Sequence, residues 1–471
     1  MVKANIAAVA AFIVSSCIDT VLAADIVPGI PINPEREAYF GDLHLHTSYS
    51  FDAYLLFGAQ VDPPGAYRFA RGEAGKYLDE DVRRSTPQLD FVAVTEHPEW
   101  IGVFNTLEDP RSALSQSEIG KELRQPHARV WDKLGWTSTK LRPLPGVETK
   151  VIEQSTWQRV IAAANDHYRP GEFTTFIAYE WAATPGGHSI HRNVIFSGND
   201  APQPFTAIDA SRPEDLWRFL ETVRKQDYEA LAIPHTSNES NGQMFKWVDS
   251  AGNHMDQDYA IRRAFNEPLV EISQHQGQSE THPALSPQDE FATFELLDGF
   301  GATLYEPNGA YVRDALGRGL QIAQRTNGAN PYRFGFVGGS DFHNGLSDSA
   351  ESAYGGTAGA VDLTTKVPNV DRLVERHGVT SEAERADFRA PERCRAEWRT
   401  RPVRGIRGTH GETHGCLRLA SVADGIGLDD LAGRCAEPWR QRSRRALATL
   451  CASCKWPRFG AAKKLRPRCR A

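Results

Sequence analysis

The residues with the most chemistry in them stand at the ends of short apolar runs. The first such stretch is Tyr39 to Ser50, YFGDLHLHTSYS, where Asp42, His44 and His46 alternate with leucines. On a strand, residues two apart project to the same face, so His44 and His46 would present two imidazoles side by side. Neutral imidazole is a good ligand for Zn, Mn or Fe, although one H-x-H pair also suits a solvated strand face. Asp52 follows on the loop beyond, either turned back to the same centre or serving as a turn or capping residue.

The same arrangement recurs along the chain. The run Phe91–Val94 ends in Thr95-Glu96-His97, and Thr174–Tyr179 ends at Glu180. His188 and His191 follow a Gly-rich loop; His191 leads into the strand Asn193–Phe196, whereas His188, beside Gly186 and Gly187, reads as a loop residue. Ala230–Ile233 is closed by Pro234-His235, Leu269–Ile272 carries Glu271 with His275 beyond it, and Phe334–Val337 runs through a Gly-Gly turn into Asp341 and His343. One such pair is a weak signal. A series of them at strand ends points to a metal cluster, because buried carboxylates and imidazoles left unpaired are costly.

The elements that must position these residues alternate in type. Helical spacing appears at Trp157–His167, Pro213–Gln226 and Tyr311–Gln324, with Val160, Ile161 and Ala164 on one face of the first and Leu216, Phe219, Leu220 and Val223 on one face of the second. Short strands followed by loops and helices, with polar groups at the strand ends, are the layout of an α/β (β/α) barrel. Residues 108–145 are polar and read as an insertion over the barrel mouth, with helical pieces at Ser117–Leu123 and His127–Leu134.

The ordered set D-L-H-L-H-T, T-E-H, A-Y-E, I-P-H and S-D-F-H resembles the PHP (polymerase and histidinol phosphatase) superfamily. The fuller stretches AYFGDLHLHTSYSFDAYLLFG, RPGEFTTFIAYEW, HRNVIF, IPHTSNESNG and VGGSDFHNG resemble more closely one bacterial branch, domain of unknown function 3604, over residues 36–365. The resemblance implies a distorted (β/α)7 TIM-like barrel with two or three divalent metal ions and the hydrolysis of phosphate esters by metal-bound hydroxide. Position by position it implies His44, His46, Glu180 and Asp341 around one metal, Glu180 bridging to a second held by His191 and His235, and Asp52, His97 and His343 around a third. Glu96 stands where the family pattern has Asp, a change beside a ligand rather than of one. Arg192, next to His191, is read as a phosphate-binding residue or a surface ion pair, and His275 as a further catalytic candidate.

Composition sets the surroundings. The chain has 471 residues, 40% hydrophobic and 24% charged, with a net charge of −7 that gives no reason to expect nucleic acid as a partner. Lys3 and the apolar run Ile6–Val14, too short to span a bilayer, read as a signal peptide over residues 1–24 cleaved after Ala23 or Ala24, with lipid attachment at Cys17 as the alternative. The expected location is periplasmic or secreted, with no membrane span. From Arg389 to Ala471 there are 17 Arg and 3 Lys against 7 acidic residues, with six cysteines, while the main body after Cys17 has no cysteine before Cys394. Cys451-Ala-Ser-Cys454 with His410 and His414 is a poor zinc motif. Residues 366–471 therefore read as a divergent tail, translated outside the family's reading frame or irregular in structure. The reading adopted is an exported metal-dependent hydrolase, first a phosphoesterase acting on a small molecule. An amidohydrolase-like enzyme acting on C–N or C–O bonds and a non-catalytic metal-binding protein are the alternatives.

Overall fold

Runs of β-branched and aromatic residues with no internal glycine or proline set the buried strands. The structure, a computed structural model, describes residues 39–55, 57–77, 80–123, 143–297 and 306–348. Its strands are β1 (Gly41–Asp42), β2 (Gly75–Tyr77), β3 (Glu80–Val82), β4 (Phe91–Val94), β5 (Thr174–Trp181), β6 (Arg192–Phe196), β7 (Ala230–Pro234), β8 (Leu269–Gln274), β9 (Gly277–Gln278) and β10 (Gly335–Gly338). The leader, Cys17, the helix expected at His127–Leu134 and the Arg- and Cys-rich tail lie outside the described residues.

One sheet has the order β1-β4-β5-β6-β7. β1, β4 and β5 are parallel, and β6 is antiparallel to both of its neighbours. The reversal follows from chain length. The link from Trp181 to Arg192 holds only a turn at Pro185–Gly187, and a parallel return needs a longer crossover, usually a helix. A second sheet, β10-β8-β9, pairs β8 and β10 in parallel. The segment after β10 then runs beside the segment after β1 through a parallel bridge between Leu45 and Phe342. The fold is thus mixed α/β with a curled five-stranded sheet. The closed seven-stranded barrel is not found among the described residues, because β7 and β8 belong to different sheets and β6 breaks the parallel alternation.

The helices α1 (Phe51–Leu55), α2 (Pro63–Ala70), α3 (Lys150–His167), α4 (Pro213–Arg224), α5 (Gln257–Asn266) and α6 (Val312–Arg325) pack with the sheet, together with short helices at Ala113–Gln116 and Glu118–Leu123. α2 starts where Asp62 accepts the Gly65 amide at 2.9 Å ahead of Pro63 and Pro64, and α5 where Asp256 accepts the Tyr259 amide at 2.8 Å; such caps satisfy amides that have no partner within the helix. α3 buries Val160, Ile161 and Ala164, and α4 buries Leu216, Leu220 and Val223, with Phe219 partly buried against the same core. In the insertion, a short helix at Glu118–Leu123 falls where one is expected.

Strand alternation divides the core in two. The outward series Val92, Val94, Ile177, Tyr179, Trp181, Val194 and Phe196 joins the helices in the large cluster. The inward series Phe91, Ala93, Phe176, Ala178, Ile195, Leu231 and Ile233 forms a smaller one with Leu43 and Val337. Continued by two residues, the inward series of β5 and β7 reaches Glu180 and His235. The polar cluster is therefore the far end of an apolar interior.

Candidate metal centre

The segment around His44 and His46 is less regular than a continuous strand. The ladder of β1 stops at Asp42, whose side chain accepts the amides of His44 and Ser340, each at 3.1 Å, and hydroxyls from Ser340 and Ser347. A side chain thus takes the place of ladder bonds, and burial raises the Asp42 pKa against these donors. Beyond it, Asp341 N donates to His44 O and His46 N to Phe342 O, each at 2.8 Å. These bonds bring the H-x-H pair against the S-D-F-H turn.

Around that junction, His44, His46, Glu180 and Asp341 converge, all buried. His44 Nε2 lies 3.0 Å from Asp341 Oδ1 and 3.4 Å from Glu180 Oε2; His46 Nε2 lies 2.9 Å from Glu180 Oε2 and 3.2 Å from Asp341 Oδ1. The other oxygen of Glu180 faces a different pair, 2.7 Å from His191 Nδ1 and 3.2 Å from His235 Nε2. Asp52 Oδ2 is 3.1 Å from both His97 Nε2 and His343 Nε2, and these three converge again with His46. The structure thus brings all nine residues close together, with His44, His46, Glu180 and Asp341 grouped as the resemblance implies and Asp52, His97 and His343 grouped with His46; His235 groups instead with His44 and Glu271, and His191 joins through Glu180. Glu180 lies within β5 rather than after it, and Asp52 is carried on α1.

Four of the imidazoles have a second partner that fixes the ring. His46 Nδ1 is 2.8 Å from Ser50 Oγ, which donates to Glu96 at 2.5 Å; Glu96 also accepts the Thr47 amide at 3.1 Å and the Thr47 hydroxyl. Glu96 thus braces the turn carrying His46 rather than joining the cluster. His343 Nδ1 donates to Asp341 O at 2.8 Å, His235 Nδ1 is 2.9 Å from Thr236 Oγ1, and His191 Nε2 is 3.0 Å from Thr184 Oγ1. Partners of this kind orient a metal-binding histidine and set its tautomer.

His275 sits at the more open edge, its Nε2 3.4 Å from Asp341 Oδ2, and groups with Asp341 and His343. His188 remains a loop residue, 3.3 Å from Asn241. Arg192 is a correction. It lies on the face of β6 opposite His191, buried, with Nε donating to Glu267 Oε1 at 2.9 Å and another guanidinium nitrogen donating to Ile190 O. Alternation sends it to the outer side, so it is neither a phosphate ligand nor a surface pair. Two carboxyls near the cluster, the buried Glu99 and the partly buried Glu239, are not singled out by any sequence pattern. Glu99 accepts the Ala207 amide at 2.6 Å, and Glu239 accepts the Ser189 hydroxyl at 3.0 Å.

The electrostatics match a site built for added positive charge. Burial opposes the charged form of every carboxylate here, yet His44 and His343 hold Asp341, His97 and His235 hold Glu180, and His97 and His343 hold Asp52 well below the usual carboxylate range. Against the same burial, Asp341 and Glu271 hold His44 well above the usual imidazole value, and Glu180 and Asp52 hold His97 at about 9. His235, buried beside His44, is pushed down to about 3. His46 Nε2 and His235 Nε2 are buried and make no directed hydrogen bond, although Glu180 oxygens lie 2.9 and 3.2 Å away. Nitrogen and oxygen donors at this spacing fit ligand distances of about 2.0–2.2 Å to a shared cation.

A prediction follows for metal uptake. A metal takes imidazole only in its neutral form, so binding displaces protons. Because His44, His46, His97 and His343 are held protonated above their ordinary value in the metal-free protein, affinity should keep rising as pH climbs from about 6.5, where an isolated imidazole site levels off, toward the His97 value near 9. Calorimetry at pH 7 in buffers of different ionisation heat should show protons released per metal bound. Binding heats independent of the buffer would contradict this.

These features define a class: a curled α/β sheet whose strand ends carry buried groups of His, Asp and Glu able to hold metal ions. The chain matches the model of the family described as Protein of unknown function (DUF3604) over residues 33–391 and belongs to that family. The match extends past the expected 36–365 and stops at 391, beside Arg389 where the Arg-rich composition begins. Among curated proteins, the chain is similar to 2-succinylbenzoate--CoA ligase of Escherichia coli (strain K12), 26% identical over 121 residues, 22% of this chain and 27% of that one. The match spans about a quarter of that relative's length. No solved structure matches the chain. No helix among the described residues is long and apolar enough to cross a membrane.

Proposed function

We propose that the protein is an exported metal-dependent hydrolase of the PHP type, acting first on phosphate esters. The observation that carries the reading is Glu180, whose two oxygens serve separate imidazole sets, His44 and His46 on one side and His191 and His235 on the other. A carboxylate so placed is the bridge that a cluster of adjacent cations needs, and the amidohydrolase alternative lacks its bridging lysine: among the described residues no lysine is buried. Divalent ions held by the nine residues would lower the pKa of a bound water and offset charge building on an ester oxygen.

The chain's own groups supply the rest. His275 is the most open imidazole of the cluster and can donate to a phosphoryl oxygen. Glu239, on the turn after His235, is bonded to the turn before His191 through Ser189. Burial first, then the Asp341 and Glu180 carboxylates, raise it to about 7. Glu239 can thus hold the proton that a departing alkoxide takes up. Glu239→Gln is expected to slow alkyl phosphate esters by about 10²–10⁴-fold, the usual worth of a general acid. Aryl esters, whose leaving groups need no proton, should be nearly unaffected. An equal loss on both ester types would remove Glu239 from this role.

The deciding experiment takes the purified protein through a panel of phosphomonoesters and phosphodiesters, with metal content measured on the same sample. Turnover that chelation abolishes and Zn, Mn or Fe restores supports the reading. Metal bound without phosphate-ester turnover moves the substrate to C–N or C–O bonds. Absence of both metal and turnover refutes it. Export rests on the leader over residues 1–24, and the mass of the mature N-terminus distinguishes cleavage after Ala23 or Ala24 from lipid attachment at Cys17.

A further inference from the structure

We infer that Glu271 is a positioning carboxylate that turns His44 so that its Nε2 faces Asp341 and Glu180. The inference rests on the metal-binding reading of the site and assigns a residue that the nine-ligand grouping leaves out.

His44 is fully buried between carboxylates at both ends of its ring. Its Nδ1 lies 3.2 and 3.1 Å from Glu271 Oε1 and Oε2, while its Nε2 lies 3.0 Å from Asp341 Oδ1 and 3.4 Å from Glu180 Oε2. A neutral imidazole has one N–H and one lone pair. Both Glu271 oxygens converge on Nδ1, so the proton belongs there and the lone pair is left at Nε2, on the side of the cluster. The backbone builds this pairing. Glu271 faces Val337 across the parallel β8–β10 ladder, and β10 leads directly into the turn that delivers Asp341. One strand pair therefore places the group behind His44 and the group in front of it.

Gly339 is what lets them meet. A Cβ at this position would clash with Glu271 Oε2 and come within 2.7 Å of the His44 Cβ. Any side chain there would push the carboxylate from behind the ring. The competing role for Glu271 is that of a direct ligand, since His44, His235 and Glu271 also offer donor atoms close together.

The test uses zinc-loaded protein labelled with ¹⁵N-histidine, with zinc affinity measured alongside. Wild type should show His44 protonated at Nδ1 and metal-bound at Nε2. Glu271→Ala should weaken zinc binding by about 10–100-fold, the usual cost of losing such a partner. Glu271→Gln keeps an oxygen that accepts from Nδ1–H, so it should retain the tautomer and most of the affinity. Gly339→Ala should reproduce the alanine defect with Glu271 intact. Metal bound to His44 through Nδ1, a glutamine variant that loses a whole zinc ion, or unchanged affinity in both Glu271→Ala and Gly339→Ala would each overturn the inference. Wild-type protein that takes up no zinc fails at an earlier point, the metal-binding reading itself, before any variant is compared.

Discussion

Asp341→Asn should leave a folded protein with one cation position emptied and turnover reduced by more than the roughly 10–100-fold that follows loss of an orienting partner. Asp341 Oδ1 is within 3.0 Å of His44 and 3.2 Å of His46, and its Oδ2 accepts Gln276 Nε2 at 3.1 Å. Asparagine has the same shape but no charge, leaving Glu180 as the sole carboxylate of that group. The choice of asparagine matters because Asp341 has φ of 53°. That left-handed conformation costs an ordinary L-residue roughly 1–2 kcal/mol, and Asn tolerates it best after glycine. Alanine would mix backbone strain with loss of the ligand. The measurements are metal stoichiometry and kcat/KM on the best ester, with circular dichroism to show that the fold persists. An Asp341→Asn protein with full metal content and full turnover would remove Asp341 from the site.

Much of this site is legible because a strand has a period of two. Phe176 and Ala178 on the inner face fix the direction of Glu180, and Leu231 and Ile233 fix that of His235, so an apolar series ending in an ionisable residue marks both strand and site. The same rule, applied one position further, places Arg192 on the outer face once His191 is inward. Adjacency to a ligand in sequence is the opposite of adjacency in space on a strand. The reversal of β6 was also open to reading, since the connection from Trp181 to Arg192 has no room for a crossover helix.

Other features have no local signal. Asp42 looks like one more candidate of the D-L-H-L-H run, yet it accepts hydrogen bonds from Ser340 and Ser347, about 300 residues away in the chain. Glu239 lies in a turn whose sequence, HTSNES, carries no periodicity, and its approach to Ser189 depends on two loops meeting. Glu271 shows only as an acidic residue in a strand, a pattern shared with surface ion pairs; its meaning comes from the β8–β10 register. Closure of the sheet is equally non-local, because strand pattern reports burial and not which strands pair at the seam.

Glu267→Ala is expected to cost about 3–5 kcal/mol of folding stability, the usual penalty for breaking a buried ion pair on one side. Glu267 is fully buried and accepts from Arg192 Nε and Trp217 Nε1, each at 2.9 Å, with Arg263 Nη2 3.2 Å away. Two buried guanidinium groups therefore share one carboxylate. Arginine cannot shed its proton to escape an apolar environment, so removing Glu267 leaves both cations uncompensated. Against a total stability of about 5–15 kcal/mol, this loss would bring a domain close to unfolding at growth temperature. Glu267→Gln should cost less, because its amide oxygen still accepts from Arg192 and Trp217. Urea unfolding of the metal-free protein measures both, and a loss below about 1 kcal/mol for the alanine variant would mean that water reaches the pair. The comparison also decides what Arg192 does. If it bound phosphate, Arg192→Met would raise KM and leave stability unchanged. From its place behind β6, stability should fall, and turnover should suffer only as His191, its neighbour on the inner face, loses its anchor.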